Sequence, residues 1–329
     1  MEFFNIRFLA VFAVVILHVS SLYIYSGFNN LEPSTDWWVA NIFDSMTRWC
    51  VPIFIIISGY FLLDKQEFVS QFFKKRASKL IIPIVFWSFF YLLWGSVIQI
   101  KVGNEVDLKS FFYPLIIGKP YYHLWYVFMI PFLYFFTPFL RKIIKVLSKK
   151  ELLTLIFILF VYEVFNQYIS FFVNPIEHYI FVNTFLMYLG YFVLGGYFKI
   201  HGIPNIKNSI LITGYLFSSA GIVYGVYALR NEYFYTYLSP SVVFQSIFIF
   251  IYLIKNYTDN IFGLSESLAG FSFGVYLFHP FLRDIVSYFI KPDLFNALIY
   301  IPFVSIFIVV VSYVFCFFIN KIPYLRKII

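Results

Sequence analysis

Charge is scarce in this 329-residue chain: Asp, Glu, Lys and Arg together make up 12% of it, about half the share of an ordinary soluble domain. Set against 61% hydrophobic residues, so little charge excludes a water-soluble globule, whose surface needs far more polar cover. Cysteine is nearly absent. Cys50 and Cys316 stand far apart in apolar runs, which excludes a disulfide framework and reads as two buried thiols. Short segments of period-two alternation are missing, which excludes an outer-membrane barrel. There is no phosphate-binding Gly-Lys-Ser/Thr loop, no Cys-x-x-Cys and no His-Glu-x-x-His. Neither an ATPase nor a zinc site is therefore indicated, and no metal is expected. Spans lined with repeated acidic residues, internal repeats of the transporter kind and a disordered tail are also lacking. The first apolar stretch has no small-residue cleavage site, so no cleavable signal is expected.

What the chain has instead is long, continuous apolar runs and an aromatic content of 25%. This pattern predicts an all-α integral membrane protein, a bundle of about ten transmembrane helices at about 20 residues each. The candidate spans lie near 4–26, 41–63, 80–100, 123–140, 152–172, 179–198, 209–228, 241–255, 268–289 and 295–320. The eighth is short and has room to extend backward past Pro240. With the N-terminus inside, the inner segments hold 17 Lys and Arg and the outer loops 5. The positive-inside rule then puts both termini in the cytoplasm. The net charge of +8 reports this orientation, and no nucleic-acid partner is expected. Residues 1–329 read as one membrane domain. The longest outer loop, 101–122, carries Gly103, Pro114, Gly118 and Pro120 among many aromatics, so part of it is expected to dip into the bilayer.

Ionisable residues within spans are functional candidates by default. Arg7 and His18 are eleven positions apart, close to three helical turns, so they share one helix face about 16 Å apart. Arg7 falls at the cytoplasmic rim and His18 beyond the midplane. A snorkelling anchor and an interhelical hydrogen-bond link are their structural alternatives. Asp44 and Arg48, four apart, are spaced to pair, and Ser58-Gly59 suits close helix packing. The run Lys74-Lys75-Arg76-Ala77-Ser78-Lys79, read as a loop before the third span, is either a topology signal or a phosphate clamp. His123 opens the fourth span and His279 sits midway in the ninth; with His18 both fall in the outer half. Glu163, mid-span, is expected to hydrogen-bond within the bundle or to orient a histidine. His178 and His201 are given no role.

Four segments carry a resemblance. Arg7 with ten residues between it and His18, Val51-Pro52-Ile53-Phe54 with Ser58-Gly59-Tyr60, His123-Leu124-Trp125 and Tyr276-Leu277-Phe278-His279-Pro280 together resemble the membrane acyltransferase 3 family, in order and across essentially the whole chain. One position departs from it: the family commonly has Arg-x-x-Arg at the cytoplasmic start of the third helix, and here Arg76 is followed by Lys79, which keeps the charge without the bidentate fork. No SGNH-type esterase domain follows the spans, so the chain is expected to act alone or with a separate partner. The resemblance implies an O-acyltransferase in the cell (inner) membrane of a bacterium. It would move acetyl, or another acyl group such as succinyl, from acyl-coenzyme A to a glycan or glycolipid hydroxyl. Its implied donor-binding residues are Arg7, Lys75, Arg76 and Lys79, and its catalytic residues His18 with Arg7. Asp44, Arg48, Ser58, His123, Trp125 and His279 have supporting or acceptor-binding roles. Direct transfer and an acyl-histidine intermediate are both compatible with this set. A polysaccharide flippase or exporter without chemistry is the rival reading, and needs neither the Arg7–His18 face nor the inner basic cluster.

Overall fold

The computed structural model describes residues 3–27, 32–173, 181–257 and 270–329. Among them there is no strand; the elements are twelve α-helices and four short 3-10 segments. The helices are α1 Phe4–Gly27, α2 Thr35–Thr47, α3 Cys50–Leu62, α4 Val69–Lys101, α5 Leu108–Ile116, α6 Trp125–Val146, α7 Lys149–Phe172, α8 Leu189–His201, α9 Asn208–Leu229, α10 Pro240–Asn256, α11 Ser272–Phe289 and α12 Ala297–Lys321. The protein is therefore an all-α, multi-pass membrane protein. Eight segments among the described residues are long and apolar enough to cross a bilayer.

Two expected spans differ from those eight. The sixth is a 3-10 segment, Phe181–Tyr188, leading into the 13-residue α8; residues 174–180, including His178, lie outside the described residues. The ninth is α11, an 18-residue helix carrying Arg283 and Asp284, and residues 258–269 before it also lie outside. The second span begins at Thr35 and breaks between α2 and α3 at Arg48–Trp49. Pro52, in the first turn of α3, has no N–H to offer the Arg48 carbonyl one turn earlier.

The third span corrects the loop assigned to the basic run. α4 starts at Val69, so Lys74 to Lys79 ride on a helix. No Pro or Gly interrupts residues 69–79, so nothing ends the helix there. Its 33 residues extend about 50 Å, well over a hydrocarbon core of about 30 Å. α10 begins at Pro240 itself, with Ser239 capping the Val242 N–H; proline suits a first helical position. The 101–122 loop contains α5, capped by Asp107.

α1 is the hub and packs against α2, α3, α11 and α12. The tightest pair is α3 with α8. A Cβ on Gly59 would stand 1.8 Å from the Phe192 carbonyl oxygen, and one on Gly195 2.0 Å from that of Ile56; glycine is what lets these backbones touch. Glu163 of α7 is fully buried and accepts the Gly190 N–H at 2.7 Å, so a carboxylate caps the positive end of α8. That is the bundle hydrogen bond expected of it. Cys50 and Cys316 are buried free thiols. Residues such as Leu93, Phe217 and Phe303 stand largely exposed, the side chains that face lipid in a helical membrane bundle.

Candidate active site

Two groups of polar residues sit at opposite ends of one line of contacts, and α1 belongs to both. The inner group lines a cavity of about 350 Å³, whose walls include Arg7 of α1, Ser58 of α3, Arg76 and Lys79 of α4, Tyr126 and Tyr134 of α6, and Tyr276 of α11. Arg7 lies over the Phe61 ring at 5.5 Å and Arg76 over Phe72 at 5.3 Å. The Arg76 Nε is buried without a protein partner. Such a cluster of cations presents spare donors to an anion. Lys75 lies outside the lining; it faces Glu67 at 3.6 Å.

Arg141, which entered the sequence reading only as a topology charge, holds this end together. It is buried in the bundle, donates from Nε to the Leu62 carbonyl at 2.7 Å and from Nη2 to Glu67 at 3.0 Å, and lies 4.7 Å over Phe72. It thus ties the 63–68 connection, and so the start of α4, to α6. Burial opposes the charge on Glu67. The Arg141 hydrogen bond and the neighbouring cations Lys65, Arg141 and Arg76 outweigh that and hold its carboxyl below the ordinary range.

The outer group assembles the three predicted histidines. The His18 ring lies 5.3 Å from His279 and 4.9 Å from Tyr122, and His123 lies 5.8 Å from His279. His18 is half-buried, Tyr122 is 39% exposed, and His123 and His279 are sealed. The cluster is therefore accessible at His18 and Tyr122. Among the described residues no group of three acidic, histidine or cysteine side chains could hold a metal.

Arg283 and Asp284, adjacent residues of α11, frame this end. Arg283 donates from Nη2 to Asp284 at 2.8 Å and from Nη1 to the His18 carbonyl at 3.4 Å, and its guanidinium covers Tyr122 at 4.8 Å. The other Asp284 oxygen accepts Trp94 Nε1 at 3.0 Å and the Tyr121 hydroxyl. A half-buried ion pair whose carboxylate also accepts from Trp94 and Tyr121 is a rigid support. In the sequence Arg283 is only a further charge within a span. Its place four residues after His279, on the same helix face, was the available signal.

Tyr276 joins the two groups. It lines the inner cavity, its ring lies 5.3 Å from His123 and 6.0 Å from His279, and its hydroxyl donates to the His123 carbonyl. Pro280 follows His279 and cannot donate a helical hydrogen bond. Just beyond it, the Tyr91 hydroxyl accepts from the Phe281 N–H at 3.2 Å and donates to the Leu277 carbonyl at 2.7 Å. It thereby inserts between two groups that ordinarily bond to each other, an opening of the ladder of the kind that bends helices.

The remaining candidates sit to one side. Asp44 and Arg48 pair as their spacing predicts. Arg48 also donates to the Tyr235 carbonyl at 2.9 Å and covers that ring at 4.2 Å. Tyr235 bonds Asn41, and Ser45 and Gln245 extend the network to Ser219, knitting α2 to α9 and α10. Trp125 packs on Tyr188 and Tyr237 at 5.4 and 5.8 Å and makes no described ring contact with the histidines.

Comparison with known proteins follows this geometry. Curated relatives include the "Probable poly-beta-1,6-N-acetyl-D-glucosamine export protein" of Staphylococcus aureus strains MSSA476 and MW2. Each is 24% identical over 302 residues, which cover 83% of either chain. No solved structure matches the chain. The family profile described as "Acyltransferase domain" (Acyl_transf_3) matches residues 3–317, and the chain, with its Arg7–His18 helix running through both polar groups, belongs to that acyltransferase family.

Proposed function

We propose that this protein acylates a hydroxyl of a glycan or lipid-linked sugar. The acyl group, acetyl or a close relative such as succinyl, comes from cytoplasmic acyl-coenzyme A, at the cell (inner) membrane of a bacterium. The observation that carries the reading is the arrangement on α1, with Arg7 in a cation-lined cavity at one end and His18 in a histidine cluster at the other. Polyphosphate suits Arg7, Arg76 and Lys79, and the partnerless Arg76 Nε fits that role. The acceptor reaches His18 from the part-exposed side beside Tyr122.

His18 takes the proton of the acceptor hydroxyl as its oxygen attacks the thioester carbonyl carbon. The new C–O bond forms, the C–S bond breaks, and the proton passes to the departing thiolate. Arg283 is placed to keep His18 in position through its carbonyl and through Tyr122.

The relatives' printed name concerns export of a polysaccharide, which supports a polysaccharide as the acceptor and favours export as the second reading. The family profile that matches residues 3–317 is that of an acyltransferase domain, which supports chemistry over passage.

The test is His18→Asn in purified protein with labelled acetyl-coenzyme A and an oligosaccharide acceptor. The variant is expected to fold and bind donor normally and to lose at least about a hundredfold in acyl transfer, the lower range for loss of a general base. Near-normal turnover would assign His18 a structural role and overturn the base assignment.

A further inference from the structure

His279 is fully buried, and its two ring nitrogens are not equivalent. Nδ1 lies 3.1 Å from the carbonyl oxygen of Val275. A carbonyl oxygen only accepts, so Nδ1 carries the hydrogen. None of the described salt bridges involves this ring, and a buried site without a counter-ion accommodates the neutral form. Nε2 is then a bare lone pair, and no described protein group bonds it. The ring is not free to turn over and hide it. It is stacked on His18, edged by His123, and mounted where Pro280 and the inserted Tyr91 hydroxyl set the helix.

A buried acceptor without a donor costs about 1–3 kcal/mol, and the partner that relieves it must bring an O–H or N–H. Phosphate, carboxylate and thioester oxygens bring none. The donor must also arrive next to His18, whose ring is 5.3 Å away.

Resting on the reading of His18 as the base, we infer that His279 is the acceptor-specificity residue: its Nε2 takes a hydrogen bond from a second hydroxyl adjacent to the one being acylated. The acceptor is thereby a sugar unit with two neighbouring free hydroxyls, one given up to His18 and one read by His279. A lone hydroxyl flanked by hydrogen, or by a substituent that only accepts, leaves Nε2 unpaired and is rejected. A site built to hydrogen-bond a hydroxyl discriminates strongly against the analogue that lacks it.

The experiment uses full-length protein in nanodiscs and three probes: a short β-1,6-linked N-acetylglucosamine oligomer and its analogues deoxygenated at carbon 3 or carbon 4 of each internal unit. Binding is measured on the His18→Asn protein, and acylation on wild type with labelled acetyl-coenzyme A. The analogue that lacks the attacked hydroxyl is not acylated by any variant and identifies which position reacts. The analogue that keeps the attacked hydroxyl and lacks its neighbour is expected to bind and react about 10- to 100-fold worse than the diol oligomer, the range for one buried hydrogen bond. In His279→Leu that preference for the diol over the second analogue should shrink to about twofold or less. The wild-type comparison stands even if His279→Leu fails to fold. Equal handling of the diol and the second analogue by wild type overturns the inference, as does a preference between those two that persists in His279→Leu. The two readings fail separately. Acylation without diol preference sinks only the role of His279. Diol-selective binding without any acylation sinks acyl transfer and leaves His279 as a hydroxyl reader.

Discussion

His18 and His279 come from helices near opposite ends of the chain, yet their imidazoles face each other at 5.3 Å and 27° from parallel. Among the described residues neither has a carboxylate partner of the kind that orients histidines in hydrolytic triads; they are steadied by a guanidinium, a tyrosine ring and a backbone carbonyl. That pairing defines one end of the site. Arg7, on the same helix as His18, lines the cavity at the other end, so α1 contributes to both polar groups.

The donor side makes a separable prediction. Arg76→Ala removes a guanidinium from the cavity wall and should weaken acetyl-coenzyme A binding about 10- to 100-fold, the worth of one or two charge-assisted hydrogen bonds. Thermal stability should stay close to wild type. Titration with the donor in detergent reads the affinity; unchanged binding would remove Arg76 from the phosphate site.

The α3–α8 contact sets a stability test. Gly195→Ala puts a methyl 2.0 Å from the Ile56 oxygen and 2.7 Å from the Tyr60 nitrogen, both backbone atoms, so the helices must separate. A loss of about 1–3 kcal/mol or more is expected. Gly95→Ala, where nothing lies within 4 Å of the added carbon, should be neutral or gain up to about 1 kcal/mol. Unfolding of the two variants in one detergent gives the contrast, and equal effects would refute the close approach.

Glu67 gives the connection at 63–68 a pH dependence with a definite sign. Its folded carboxyl lies below the ordinary value of 4.5, so its ionised form is favoured by folding. The stabilisation is fully present above that ordinary value and is lost as pH falls through the folded one. Glu67→Gln should be less stable than wild type at neutral pH, and the gap should close on acidification below about 4.5. A gap that stays constant across that window would show that Arg141 does not depend on the charge.

Orientation is open to direct labelling. In a background with Cys50 and Cys316 replaced, single cysteines placed at exposed Lys65 and Lys145 should be shielded from an impermeant thiol reagent on intact cells, and one at Lys109 should react. The reverse pattern would invert the bundle and put the cation-lined cavity on the outside.

Much of this molecule is written in one dimension. Apolar runs of span length with few charges require a helical membrane bundle, because backbone groups in lipid must be satisfied within their own segment. The spacing of Arg7 and His18 puts both on one face whatever they touch, and Asp44 and Arg48 pair because helical geometry alone brings four-apart residues together. The residues that complete the site were visible only as types. In the sequence Arg283 is one more charge within a span, Tyr121 and Tyr122 are two of 28 tyrosines, and Arg141 is one of the cations that signal topology. Their roles depend on which helices lie side by side. That is decided by close approaches such as Gly59 to Phe192, by a proline and a tyrosine hydroxyl that bend α11, and by which polar groups must find partners once water is excluded. The sequence by itself determined the solvent, the elements and the helix faces. Only the tertiary structure decided that α1 and α11 meet with their imidazoles in contact, because that meeting is made by packing between segments far apart in the chain, and no local periodicity encodes it.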